Sequence, residues 1–256
     1  MGHAVMSNIQ LYNQDCMDAM KQMPDKAFDL AIVDPPYGGG ATPESREDSQ
    51  NTLQGGQGAW ENKDRSRFGG GLDKYNIKAN RTGGGYYKKY GSKIKHWDVA
   101  PTMTYFNELA RVSKNQIIWG GNYFPLPPTR CFLVWRKLTI SEGFSMAMCE
   151  YAWSSFNDNA KWIEIAPQGT KGKERFHPTQ KPEKLYAWIL RNYAKPGDKI
   201  LDTHLGSGSI AIACHDMGFD LTGYEIDKDY YDAAVKRLDN HKLQLTLFTS
   251  PPAEEI

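Results

Sequence analysis

Lys199-Ile-Leu-Asp-Thr-His-Leu-Gly-Ser-Gly-Ser209, followed by Ile210 to Met217 and then by Phe219-Asp-Leu-Thr-Gly-Tyr-Glu225, is the stretch that decides the fold class. The apolar run at Lys199 to Asp202 reads as a strand and Gly206-Ser-Gly208 as a tight turn. Ser209 to Met217 then reads as a helix and Phe219 to Glu225 as the next strand, which completes one βαβ unit. In such a unit the turn after the first strand offers backbone N–H groups and close-approach glycines to a ligand at the strand's carboxyl end. Glu225 closes the second strand, where a carboxylate can accept hydrogen bonds from both hydroxyls of a ribose. A nucleoside-containing ligand is therefore expected. Gly206-x-Gly208-x-x-Ala211 also fits a dinucleotide fingerprint, so an NAD-dependent oxidoreductase stands as a rival. A glycine turn that merely lets helix and strand pack is a third reading.

Chain order separates these readings. Only 31 residues follow Glu225, too few for the remaining strands of a doubly wound sheet, so those strands must precede the glycine turn. A usual dehydrogenase has the opposite order, with the nucleotide half first. Upstream, Phe28-Asp-Leu-Ala-Ile-Val33 is an apolar run halted by Asp34-Pro-Pro-Tyr37, where two prolines forbid further strand or helix. Gln116 to Trp119, Cys131 to Trp135 and Glu150 to Trp153 are rich in β-branched and aromatic residues and read as further strands. Pro182 opens a helix at its first position, with Leu185, Trp188, Ile189 and Tyr193 at helical spacing, until Lys195-Pro-Gly197 ends it. The expected class is α/β with a mostly parallel sheet.

Composition narrows the function classes. The 256 residues carry 31 Lys+Arg against 30 Asp+Glu, so affinity for a polyanion must come from local clustering rather than net charge. Residues 38 to 96 hold 13 of the 24 glycines and, as large aliphatics, only Leu53, Leu72, Ile77 and Ile94. That stretch cannot build a core and reads as a long mobile insertion. Within it Lys74, Lys78, Arg81, Lys88, Lys89, Lys93 and Lys95 alternate with Tyr75, Tyr86, Tyr87 and Tyr90 and with no acidic residue. The mix suits phosphates and bases, and equally a solvated flexible loop. Cys16, Cys131, Cys149 and Cys214 are scattered and read as reduced thiols of a cytoplasmic protein. His204 and His215 have no metal-like spacing with any cysteine, and no metal is expected. No apolar run of about 18 residues suggests a membrane span.

Four features in this order, Asp34-Pro-Pro-Tyr37, His177-Pro-Thr-Gln-Lys-Pro182, the turn from Asp202 to Gly208 and the acid at Glu225, resemble the amino DNA methyltransferases of the β arrangement, the N4/N6 methyltransferase family. The resemblance runs from Asp15 to about His241. It implies a single Rossmann-like methyltransferase domain over residues 1–256, with helices on both faces of a twisted sheet. That domain is circularly permuted, so that the cofactor half is C-terminal. It implies S-adenosylmethionine as methyl donor, S-adenosylhomocysteine as product, and DNA as partner, in a bacterial or phage restriction-modification setting. Asp34 and the Pro35 carbonyl would accept the N–H bonds of a flipped base's amino group, Pro36 would shape the motif, and Tyr37 would stack on the base. Asp34, Asp202, Gly206 and Gly208 would line the methionine end, Glu225 the ribose, and Thr179 and Lys181 the carboxylate. Asp15 and Cys16 resemble the segment at the cofactor's adenine edge, although Cys16 also fits a buried structural thiol. His177 fits either a ligand contact or a hydrogen-bonded loop histidine.

The target atom follows from the same resemblance. C5-cytosine chemistry needs a cysteine nucleophile, and none of the four cysteines follows a proline. Asp34 is the usual first residue of N6-adenine enzymes, while N4-cytosine enzymes more often carry Ser; N4-cytosine is the alternative. An RNA methyltransferase and a binding module without catalysis are further rivals. A target-recognition region between about residues 136 and 176 has room for only a few elements. Many relatives pair, so a homodimer is an expected partner state. In the tail at 242–256, Gln244-Leu-Thr-Leu-Phe248 sits after the final helix and resembles the short peptide that docks on the bacterial sliding clamp. It also reads as a last strand packed on the chain's own sheet.

Overall fold

The computed structural model describes residues 7–37, 99–142, 147–167, 176–177 and 179–249, with side chains described as far as residue 244. The chain divides into two compact units, Met1–Pro35 with Pro101–Ile256, and Pro36–Ala100. The insertion at 38–96, with the seven basic residues from Lys74 to Lys95, lies outside the described residues. Pro36 and Tyr37 belong to the second unit, and the geometry below is that of the first.

Eight strands among the described residues make one sheet: β1 (Ile9–Asn13), β2 (Phe28–Val33), β3 (Ser113–Trp119), β4 (Phe132–Lys137), β5 (Cys149–Ser154), β6 (Lys161–Ile165), β7 (Lys199–Asp202) and β8 (Asp220–Glu225). Their order is β1-β8-β7-β2-β3-β5-β4-β6. From β1 to β3 every pairing is parallel, whereas β5 runs antiparallel to β3 and β4. The strands β7 and β8 are last but one and last in the chain, yet β7 sits between β8 and β2, the strand that leads into Asp34. This is an α/β fold whose mostly parallel sheet takes its glycine-turn half from the C-terminal part of the chain, as the chain-order argument expects.

Five helices are described: α1 (Cys16–Met20), α2 (Met103–Val112), α3 (Glu183–Tyr193), α4 (Ser209–Met217) and α5 (Lys228–Thr249). Ala31, Ile32 and Val33 are all buried, and so are Ile117, Ile118 and Trp119. Because successive side chains of a strand point to opposite faces, both faces of the sheet are covered there. Leu30, Ile32, Ile117 and Trp119 share one cluster with Leu185 and Ile189 of α3 and Ile210 of α4. α2, whose Tyr105, Phe106, Leu109 and Val112 repeat at helical spacing, packs on β3 and α1.

The local signals are realised with small shifts. Pro182 is the N-cap of α3 rather than its first residue, since its extended φ of −66° and ψ of 142° precede the helical geometry. Leu185, Tyr186, Ile189, Leu190 and Tyr193 form the buried stripe of that helix, with Trp188 only partly buried against the core. The larger difference is at the tail. The final helix does not stop before Gln244; α5 continues to Thr249 and takes Gln244 to Phe248 with it, because nothing in Lys242 to Thr249 is a glycine or proline that would end it. The segment is thus neither a last strand nor extended. Among the described residues no helix is long and apolar enough to cross a membrane.

Candidate active site

The carboxyl ends of three adjacent parallel strands carry an acid each. β2 leads into Asp34, β7 ends on Asp202, and β8 ends on Glu225. Neighbouring strands lie about 4.8 Å apart, so the three acids are assembled by sheet order although 168 positions separate Asp34 from Asp202.

The glycine turn is shaped by two left-handed residues. Gly206 has a φ of +52° and Gly208 a φ of +69°, a region that favours residues without a Cβ. A Cβ on Gly206 would stand 3.2 Å from His177 Cε1, and one on Gly208 3.1 Å from Ala234 Cβ. His177 therefore lies directly against the turn. Its other side meets Tyr230 edge-on at a ring-centroid distance of 4.4 Å, and its Nδ1 accepts the Thr179 N–H at 3.3 Å. The Thr179 hydroxyl lies 3.2 Å from the same nitrogen. Glu225 reaches the turn as well, accepting the Gly206 N–H at 2.8 Å through Oε2 and the Asp227 N–H at 2.9 Å through Oε1. Burial raises its pKa despite those bonds.

Asp202 is buried, at 2% exposure. Its Oδ1 accepts the His204 N–H at 3.0 Å. Burial pushes its pKa up to about 8, the hydrogen bond from His204 works against that, and the neighbouring charges of Asp34 and Glu225 add to it. Burial likewise lowers His204 to about 4, so its imidazole is neutral at pH 7. Tyr105 of α2 packs edge-on against His204 and shares a 2.6 Å hydrogen bond with Thr203, which fixes the strand end. Asp15 caps α1 by accepting the Met17 N–H at 2.7 Å. Cys16 is half-buried, and burial, with Asp15 and Asp202 nearby, raises its thiol to about 12, so it is no nucleophile.

Lys181 was expected to reach a cofactor carboxylate. In the structure its ammonium forms an ion pair with Asp34 and a second, at 3.2 Å, with Glu150. Glu150 in turn takes Lys137 at 2.6 Å. Lys137, Glu150, Lys181 and Asp34 thus make a chain of alternating charge that runs from β4 through β5 and the loop before α3 to the end of β2. Lys181 is 3% exposed in its side chain and sits over the Trp119 ring at 5.3 Å. Burial alone lowers its pKa, but Asp34 and Glu150 outweigh that and raise it. Glu150 is the mirror case: burial raises it, while Lys181 and Lys137 bring it below the ordinary carboxylate value. Both groups are therefore charged at neutral pH.

Glu150, Lys137 and Trp119 are the site residues that the sequence reading missed. Glu150 and Trp119 were read only as strand residues. The available signal was a charged residue at each end of otherwise apolar strands, Lys137 on β4 and Glu150 on β5, at positions directed away from solvent. Asp34, Lys181, His177, Thr179, Asp202, Gly206, Gly208 and Glu225 are brought together around the strand ends. Tyr37 belongs to the other unit, and Pro178 lies outside the described residues.

The type II methyltransferase M.HpaI of Haemophilus parainfluenzae is 39% identical over 64 residues, which are 25% of this chain; the match spans only 20% of that protein. Among solved structures, the M1.HpyAVI–SAM complex superposes with a TM-score of 0.54 at 17% identity, covering 90% of this chain and 99% of that one. The cytosine-N4-specific PvuII DNA methyltransferase superposes at 0.52 and 12% identity, covering 98% and 97%. At such identities the two structures speak for the fold. The profile of the N6_N4_Mtase family, described as DNA methylase, matches residues 73–236, more than half of the sequence, and the chain belongs to that family.

Proposed function

We propose that this protein transfers a methyl group from S-adenosylmethionine to the N6 amino group of an adenine in DNA. The observation that carries this reading is the convergence of Asp34, Asp202 and Glu225 on adjacent strand ends around the turn made by Gly206 and Gly208. Asp202 tests the fit of the cofactor. Burial, with Asp34 and Glu225 adding to it, raises this carboxylate to about 8 although Lys181 works the other way, so the site carries an excess of negative charge that the cationic ammonium and sulfonium groups of S-adenosylmethionine would offset. The pyrophosphate of a dinucleotide would bring negative charge against the same buried acid, which speaks against the oxidoreductase alternative.

When bound, S-adenosylmethionine supplies an electrophilic methyl group on a positively charged sulfur. The protein's part is orientation and electrostatics. Asp34, ion-paired with Lys181 and oriented by it, accepts one N–H of the target amino group, and the Pro35 carbonyl accepts the other. The nitrogen lone pair is thereby aimed at the methyl carbon; the N–C bond forms as the S–C bond breaks, and the surplus amino proton leaves toward Asp34 and then solvent. Glu225 would hold the ribose hydroxyls, exchanging its Gly206 and Asp227 backbone donors for them in part, and Thr179 with His177 would border the methionine end. Lys181 serves this scheme as the partner of Asp34.

The experiment is to incubate purified protein with methyl-labelled S-adenosylmethionine and plasmid DNA, digest to nucleosides and identify the labelled base by mass spectrometry. Labelled N6-methyldeoxyadenosine with wild type and none with Asp34→Ala is the expected result. Asp34→Ala should bind the cofactor within roughly tenfold of wild type, since the carboxylate acts mainly on the target amino group. Label on N4 of deoxycytidine would move the assignment to the other base of the family. Absence of label with DNA but transfer to RNA would overturn the substrate.

A further inference from the structure

The end of α4 farthest from the glycine turn meets the C-terminal half of α5 in a cluster of three potential metal ligands. His215 and Asp216 close α4, and His241 projects from α5, 25 residues after Asp216. One carboxylate oxygen receives both rings: His241 Nε2 lies 2.6 Å and His215 Nδ1 3.2 Å from Asp216 Oδ1. The two imidazoles stand edge-to-face, with centroids 5.9 Å apart and planes at 85°. All three ligand atoms lie within 4.8 Å of one another, and both histidines are half-buried while Asp216 is exposed. We propose that His215, Asp216 and His241 form a binding site for a divalent transition-metal ion, zinc being the best match.

Two imidazole nitrogens and one carboxylate oxygen are a donor set that zinc favours, with a fourth position open to water. Ligand atoms bonded at about 2.0–2.2 Å around a tetrahedral ion lie roughly 3.3–3.5 Å from one another. The 3.2 Å separation is already near that value, and the 2.6 Å one must open by less than about 1 Å. Asp216, with a side chain 43% exposed, has the room to make that adjustment. Helix geometry holds the two imidazoles in place from different elements, so little ordering entropy opposes capture. The ion would take the place of the hydrogen bonds that now join the two rings to the carboxylate. Ser209 to His215 is six residues, about 9 Å along the axis at 1.5 Å per residue. The ion would thus sit away from the glycine turn and act as a clamp between α4 and α5 rather than in the chemistry. In sequence His215 has no cysteine at metal-like spacing; the fold sets His241 and Asp216 beside it.

The test uses the full chain, stripped of metal and titrated with zinc chloride by calorimetry, with cobalt(II) as a spectroscopic probe. One equivalent of zinc with micromolar or tighter affinity and visible cobalt bands of tetrahedral intensity are expected. Saturating zinc should raise Tm by a few degrees. His241→Gln and Asp216→Asn should each weaken binding at least tenfold and remove the zinc-dependent rise in Tm, and both should retain the wild-type circular dichroism without metal. No saturable uptake up to 100 times the protein concentration would show a hydrogen-bonded cluster only and overturn the proposal. Wild-type affinity in both variants would place the metal elsewhere and overturn it as well. Neither outcome depends on methyl transfer.

Discussion

At the scale of single residues, the site is governed by buried charge. Asp202 has a pKa raised from 3.8 to about 8 by burial, so between those values the folded protein holds a proton that the unfolded chain releases. Its contribution to stability is therefore largest at low pH and declines as pH rises through about 8. Asp202→Asn keeps an acceptor for the His204 N–H and removes the titration. It should leave Tm almost unchanged near pH 4.5 and raise it progressively toward pH 9, as measured by scanning calorimetry across that range. A flat difference would mean that Asp202 titrates normally. Glu150 is a positioning residue in the opposite regime: it neutralises Lys137 and Lys181 together. Glu150→Gln removes the acid that Lys137 pairs with and leaves Lys181 with Asp34 alone, and breaking such a buried pair costs about 3–5 kcal/mol. Denaturant unfolding should show a loss of that order. In single-turnover methyl transfer the rate should fall while cofactor affinity stays within a few fold, because Lys181 would then bind Asp34 more tightly and hold it from the target amino group.

At the scale of elements, the turn between β7 and α4 depends on backbone geometry that only glycine adopts without strain. Gly208 is the N-cap of α4 at a φ of +69°, with Ala234 of α5 3.1 Å from the position of any added Cβ. A residue with a Cβ in the left-handed region costs roughly 1–2 kcal/mol, before the contact with α5 is counted. Gly208→Ala should therefore lower unfolding stability by about 1–3 kcal/mol and weaken cofactor binding together with it, checked by chemical denaturation and calorimetric titration. α5 shows where element reading was incomplete. Gln244 to Phe248 resembles a clamp-docking peptide, a recognition mode that uses extended chain, whereas here the segment continues the helix to Thr249. Docking would require that last stretch to unwind first. α2 went unread although the spacing of Tyr105, Phe106, Leu109 and Val112 is helical.

At the scale of the whole molecule, the sheet order gathers residues that the chain keeps apart, and the basic insertion remains the proposed route to DNA. Net charge is only +1, so phosphate affinity calls for local clustering, and the residues proposed to supply it are Lys74, Lys78, Arg81, Lys88, Lys89, Lys93 and Lys95. Each phosphate contact contributes about 0.9 to the slope of log affinity against log salt. Replacing both Lys88 and Lys89 with alanine should make that slope shallower by up to about 2 in fluorescence-anisotropy titrations, and an unchanged slope would remove them from the interface. The sequence by itself determined the βαβ unit, the proline stop at Asp34-Pro-Pro-Tyr37, the glycine turn, the acid at Glu225 and the order of the two halves. These are signals carried by consecutive residues, by periodicity and by side chains that forbid or permit a given φ. Only the tertiary structure decided that Lys181 pairs with Asp34 across 147 positions, that Glu150 and Lys137 complete the charge chain, and that His241 meets His215 and Asp216. The reason is physical: those contacts join residues far apart in the chain, and a side chain's partner is set by strand order and helix packing, which no local pattern encodes.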